Sequence, residues 1–348
     1  MFRQKSLRMN NRIAWLDIAK GISICLVVLG HTLRGGTVQR IVYSFHVPAF
    51  FLLAGTMCKT DMVKSRIKHD FLRIMVPYYC FGILSIIAFS ILGQFVANQF
   101  EMSTDTSLLS NLWDLIRACP KGNRMKFNMP LWFLPCLFAT KLLYYALSKL
   151  CRDDQGWIMF GSTVIAVLGF TYTRLGGASL PFNFSVSLKM LFFFSLGRSF
   201  FLALPKIKTH FLFGYRTLFL AFITVAVASV IAWLVPRVNY SGDTFPNIAA
   251  FMTTAVLGSF GICFLSMWIE TCKPMEYIGR NTLAILVMHK FPVLLFQTVG
   301  PMKALLASYD SIAGVMAAAL VSVLSIILCL IVEWIIRRFV PFLLGEFG

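Results

Sequence analysis

Charge is scarce in this chain. Only 13% of its 348 residues are Asp, Glu, Lys or Arg, while 58% are hydrophobic and the mean hydropathy is +0.77. A soluble domain carries far more charge, so the composition excludes one and points to a polytopic membrane protein. Acids are the scarcer sign, 14 Asp and Glu against 32 Lys and Arg, for a formal net charge of +18. Such an excess can serve nucleic acid, but here the cations lie between apolar segments, as the positive-inside rule arranges them, and no nucleic-acid partner is expected. The nine cysteines, among them Cys25, Cys80, Cys136, Cys263 and Cys329, lie mostly within or beside apolar segments. No loop-borne spacing indicates a disulfide framework, no CxxC pair suggests a metal, and none is expected. Internal repeats, low-complexity tracts and a soluble domain are also missing. Residues 1–348 read as one integral-membrane domain.

What is present is a series of about ten segments long enough to cross a bilayer, giving an all-α fold. Their limits are 13–33, 41–57, 74–97, 130–149, 157–173, 186–204, 217–235, 247–269, 281–299 and 312–336. The first follows a basic N-terminus and so invites comparison with a signal peptide. It carries Asp17 and Lys20 and has no small-residue cleavage site, so it reads as a retained helix. With ten spans, Arg3, Lys5, Arg8 and Arg12, the Lys59–Arg73 loop, Lys206, Lys208 and Arg216, and Arg337 with Arg338 fall on one side. That side, with both termini, is expected to be cytoplasmic. The long loop 98–129 falls opposite although it holds Arg117, Lys121, Arg124 and Lys126, beside the acids Glu101, Asp105 and Asp114. It is expected to fold over the outer face as a lid or an acceptor-binding element.

Polar residues inside apolar spans mark functional candidates, because each is costly to bury in lipid. In the first span Lys20 and His31 are eleven residues apart, which is about three turns and places them on one helix face. They stand roughly 16 Å apart along the axis at 1.5 Å per residue. Asp17 lies one turn below Lys20 on that face. His46 begins the second span, and the short Arg34-Gly35-Gly36 turn sets it at a depth similar to His31. An imidazole near neutral pKa is the usual base for a hydroxyl proton, although a single such histidine can simply cap a helix at the interface. The basic loop with Arg66, Lys68 and Arg73 suits phosphates of a lipid or nucleotide, or topology alone. Asn128 and Trp132 open the fourth span, where the indole anchors the interface or walls a sugar site. His289-Lys290 sits within the ninth span, and Glu333 near the end of the tenth, where it is expected to neutralise Lys20 or Arg12.

Taken in order, these residues resemble the membrane acyltransferase-3 superfamily, and within it the fucose 4-O-acetylase-like sugar O-acetyltransferases. Lys20 and His31 resemble the family's Arg/Lys–ten residues–His motif, after Trp15-Leu16-Asp17-Ile18-Ala19. Phe45-His46-Val47-Pro48, running to Ala54-Gly55, resembles its Phe-His-Met-Pro…Ser-Gly segment, with Ala54 in place of Ser. Arg73-Ile74-Met75-Val76-Pro77-Tyr78 resembles its Arg-x-x-x-Pro-Tyr element. Leu131-Trp132-Phe133-Leu134, Gly279-Arg280-Asn281-Thr282 with His289, and Glu333 with Pro341–Gly345 resemble later elements. The resemblance implies O-acetyl transfer from cytoplasmic acetyl-CoA to a sugar, polysaccharide or glycolipid across a bacterial plasma membrane. It implies His31 and His46 as catalytic residues, and Lys20, Arg66, Lys68 and Arg73 beside the donor. His31 would act as base or carry the acetyl group itself. The rival readings are a glycan transporter or flippase, which needs no donor, and a sensor or scaffold, in which His31 is dispensable.

Overall fold

A computed structural model describes residues 13–100, 107–122, 124–206 and 214–347. The expected charges at Arg3, Lys5, Arg8, Arg12, Glu101, Asp105 and Lys208 lie outside the described residues. Those described are helical, and a lone bridge between Asn239 and Thr244 is the only β pairing among them. Helix α1 spans Ala14–Thr32 and α2 Gly36–Thr56. Helix α3, Val63–Asp70, passes through a π-helical turn at Phe71–Met75 into α4, Val76–Phe100. The short α5, Leu108–Arg117, precedes a 3-10 turn at Met129–Trp132. Then come α6 (Phe133–Leu150), α7 (Gln155–Arg174), α8 (Phe184–Ala203), α9 (Tyr215–Leu234) and α10 (Ile248–Ile269). The chain closes with α11 (Lys273–Arg280), α12 (Thr282–Met288), α13 (Lys290–Thr298), α14 (Gly300–Ala307) and α15 (Ile312–Phe339).

Eight helices among the described residues are long and apolar enough to cross a membrane, and they account for eight of the ten predicted spans. The other two differ for physical reasons. The second is a 21-residue helix whose apolar character is diluted by buried Gln39, Ser44 and His46. The ninth, 281–299, is broken into α12 and α13 at His289. There the imidazole Nδ1 donates to the Ile285 and Leu286 carbonyls, and Pro292 has no N–H to give the Met288 carbonyl. Within a membrane such a break is tolerated where protein or a cavity, not lipid, surrounds it.

Helix α1 is central, packed against α2, α10, α11 and α15. Exposed Phe219, Phe222 and Trp233 on α9, and Ile312, Met316 and Leu320 on α15, form part of the apolar outer surface. Small residues set the helix crossings, as in membrane bundles generally. A Cβ on Gly55 of α2 would fall on the Phe194 carbonyl oxygen, and one on Gly197 of α8 would fall on the Leu52 carbonyl oxygen. The two helices therefore touch backbone to backbone through a reciprocal glycine pair. Gly279 of α11 sits on the Asp17 carbonyl, and Gly21 faces Met275, in the same way. Gly197→Ala is expected to cost about 1–3 kcal/mol through forced separation of α2 and α8. A lowered apparent melting temperature of the detergent-purified protein is the readout, and an unchanged one would contradict the close crossing.

Candidate active site

Lys20, Ile24, Val27 and His31 recur at steps of four, three and four along α1, so their side chains form one stripe. This stripe walls a cavity of about 710 Å³ through the bundle. At the Lys20 end the wall includes Arg73, Thr282 and Leu283. Pro77 cannot donate to the Arg73 carbonyl four residues back, and the helix loosens there into the π turn that carries Arg73. Midway the lining is apolar, with Ile24, Val27, Phe50, Ile74 and Leu134. The far end is polar and aromatic, formed by His31, Tyr43, His46, Trp132, Arg237 and Tyr240. Three cations line the cavity, Lys20, Arg73 and Arg237, and among the described residues no carboxylate does.

Three histidines meet at the far end. His31 Nδ1 lies 3.3 Å from the Tyr43 hydroxyl. With the proton on Nδ1 donated to that oxygen, Nε2 keeps the lone pair a base requires. The His31 ring is 5.2 Å from that of His289, centroid to centroid. His289 Nδ1 faces only carbonyl oxygens, at 3.0 and 2.9 Å, so it carries the proton. Its Nε2 lone pair is then buried with no hydrogen-bond partner among the described residues. His46 follows the same logic. Its Nδ1 donates to the Val42 carbonyl at 2.8 Å and Nε2 is left as an acceptor.

The loop between α9 and α10 supplies the roof. Arg237 donates to Gln39 Oε1 at 3.0 Å and lies 4.7 Å from the centre of the Tyr43 ring. Pro48 deprives the Ser44 carbonyl of its helical donor, and Tyr240 reaches that opening. Its hydroxyl donates to the Tyr43 carbonyl at 2.9 Å and lies 3.5 Å from that of Ser44. Burial pushes the Tyr240 phenol well above the ordinary tyrosine range, so it stays a neutral donor. The loop is pinned from beneath by Asp243, which takes an ion pair from fully buried Lys189 and a 2.8 Å hydrogen bond from Thr173. Lys189 Nζ also donates to Thr173 Oγ1 at 2.6 Å.

Of the residues singled out from sequence, Lys20, His31, His46, Arg73 and Trp132 come together around the cavity, with His289 behind His31. Others lie apart from the lining. Arg66 is held by Asp61 at 2.9 Å, and Lys68 is exposed on α3. Asn128 is buried and donates to Ser85 Oγ at 3.1 Å and the Val287 carbonyl at 2.8 Å, which joins α4 to α12. Asp17 bridges Lys20 (3.6 Å) and Arg280 (3.3 Å) and docks α11 on α1. Glu333 meets Arg337 at 2.8 Å, not the expected Lys20, because one helical turn brings that guanidinium alongside. Expected Arg12 lies outside the described residues. Tyr43, Arg237 and Tyr240 were not anticipated as site residues. Tyr43 alone left a trace, three residues before His46 on the same helix face. Among the described residues no three His, Cys, Asp or Glu side chains gather as a metal site.

No curated protein and no solved structure matches the chain. A family model for an acyltransferase domain, acyltransferase 3, matches residues 13–334, and the chain therefore belongs to this family of multi-pass membrane acyltransferases.

Proposed function

We propose that the protein moves an acetyl group from acetyl-CoA to a hydroxyl of a cell-surface sugar, polysaccharide or glycolipid. The observation that carries this reading is the order of groups along one cavity: cations at Lys20 and Arg73, an apolar waist, then His31 with His46 and Arg237. Bound acetyl-CoA supplies an activated thioester on a long, thin arm. Lys20 and Arg73 suit its anionic end, on the side read as cytoplasmic, and the apolar waist suits the arm. His31 Nε2 takes the proton of the acceptor hydroxyl as it attacks. Tyr43 holds Nδ1, and the buried His289 lone pair stabilises the imidazolium that forms. His46 presents a lone pair and so suits binding a sugar hydroxyl. The donor to the developing oxyanion is then Arg237, whose charge is fixed by Gln39 and the Tyr43 ring.

Acetyl-CoA titrated into the full-length protein in detergent tests the reading. Wild type is expected to bind, and Lys20→Ala and Arg73→Ala each to weaken binding about 10- to 100-fold, the loss of one charge-assisted contact. A folded wild type that does not bind acetyl-CoA would remove the donor site and favour a glycan transporter.

A further inference from the structure

A second concavity lies beside the far end of the cavity. It is a groove of about 270 Å³ formed by α5 and the segment that follows it. Arg117, Arg124 and Lys126 line it, with Asn111, Trp113 and Asp114. The acid does not cancel these cations freely, since its Oδ2 accepts the Met125 N–H at 3.2 Å. Asn111 is only 4% exposed, and its Nδ2 donor has no hydrogen-bond partner among the described residues. Trp113 is 57% exposed and offers a flat apolar wall. Cationic side chains, an unused amide donor and an exposed indole form a combination suited to an anionic sugar. Arginine binds carboxylate and phosphate in a planar fork, and an aromatic face covers a sugar ring.

The groove and the cavity share a wall. Arg117, Arg124 and Lys126 face the groove, while Pro120 and Gly122, between them in sequence, line the cavity. That wall is fastened to the site, because Lys290, next to His289, donates from Nζ to the Lys126 carbonyl at 2.7 Å. The positive-inside rule does not account for these cations, which fall on the side poorer in Lys and Arg.

We propose that this groove binds an anionic group, a carboxylate or a phosphate, on the acyl acceptor, and that the acceptor is an acidic glycan or glycolipid. One charged residue of the acceptor seats in the groove while its neighbour presents a hydroxyl to His31. Calling the ligand an acceptor rests on the acetyl-transfer reading of the cavity; its charge preference rests on the groove alone.

The test is binding of fluorescently labelled trigalacturonate, labelled N-acetylglucosamine 1-phosphate and labelled maltotriose to the full-length protein in phosphatidylcholine nanodiscs. At least one of the two anionic probes should bind about tenfold or more tighter than maltotriose, and salt should weaken it. Which of the two wins distinguishes a carboxylate from a phosphate source. Arg117→Gln with Arg124→Gln should bring anionic and neutral probes to the same affinity, while an unchanged melting temperature shows that the variant is folded. Equal binding of all three probes by wild type, or undiminished anion binding by the double variant, overturns the proposal. Loss of anion binding when phosphatidylglycerol is added to the discs assigns the groove to lipid headgroups and also overturns it. Acetyl-CoA is absent from the assay, so failure of the donor reading leaves its result standing.

Discussion

Replacing His31 with alanine is expected to slow acyl transfer about 10²- to 10⁴-fold, the usual worth of a general base, while acetyl-CoA binding changes little. The reason is positional. His31 is the histidine on the α1 stripe that lines the cavity, and its two neighbours are polarised to support it, Tyr43 at Nδ1 and the His289 lone pair behind the ring. His31→Gln keeps a hydrogen-bonding group of similar reach but supplies no base, so it should fall nearly as far. His289→Ala should lose less, because it acts through His31. If the two imidazoles work as a unit, the double variant will be no slower than His31→Ala alone. Single-turnover release of labelled acetyl from acetyl-CoA onto an accepted glycan measures the step directly. A His31→Ala protein that transfers at wild-type rate would move the chemistry elsewhere in the cavity.

The second large effect concerns the roof over that site. Lys189→Met leaves Asp243, only 3% exposed, as a buried charge without its cation. Breaking a buried pair from one side typically costs about 3–5 kcal/mol. The variant is therefore expected to melt well below wild type. Because Asp243 pins the loop that carries Arg237 and Tyr240, transfer should fall more than acetyl-CoA binding at temperatures where the protein remains folded. Adding Asp243→Asn to Lys189→Met removes the orphaned charge and should restore much of the lost stability. Thermal unfolding of the three variants in one detergent is the measurement. A double variant no more stable than Lys189→Met would show that the pair is not the source of the loss.

Much of the architecture was legible without tertiary information, because it depends on local properties. A run of apolar residues of bilayer length must pair its backbone groups internally, so hydropathy and length alone located the helices. The stripe from Lys20 to His31 was legible too, since helical periodicity decides which residues share a face. His46 could be set beside His31 because a short turn leaves little freedom in depth. The interruption at His289 is less visible. An eye fixed on hydropathy reads 281–299 as continuous, although Pro292 announces a missing donor.

Packing decided the rest. Arg66 and Arg73 sit in one basic loop, yet only Arg73 lines the cavity, because the π turn before Pro77 turns it there while Asp61 holds Arg66 outside. Asn128 opens the fourth span as expected, but its amide joins two helices, a role set by the carbonyl that α12 happens to present. His289, Arg237 and Tyr240 reach His31 and His46 from segments far away in the chain. Their encounter depends on which helix faces meet, and those faces meet where glycines such as Gly55, Gly197 and Gly279 let backbones touch. Period and hydropathy are properties of neighbours along a chain, whereas the partner of a buried polar group is chosen by every helix that closes around it.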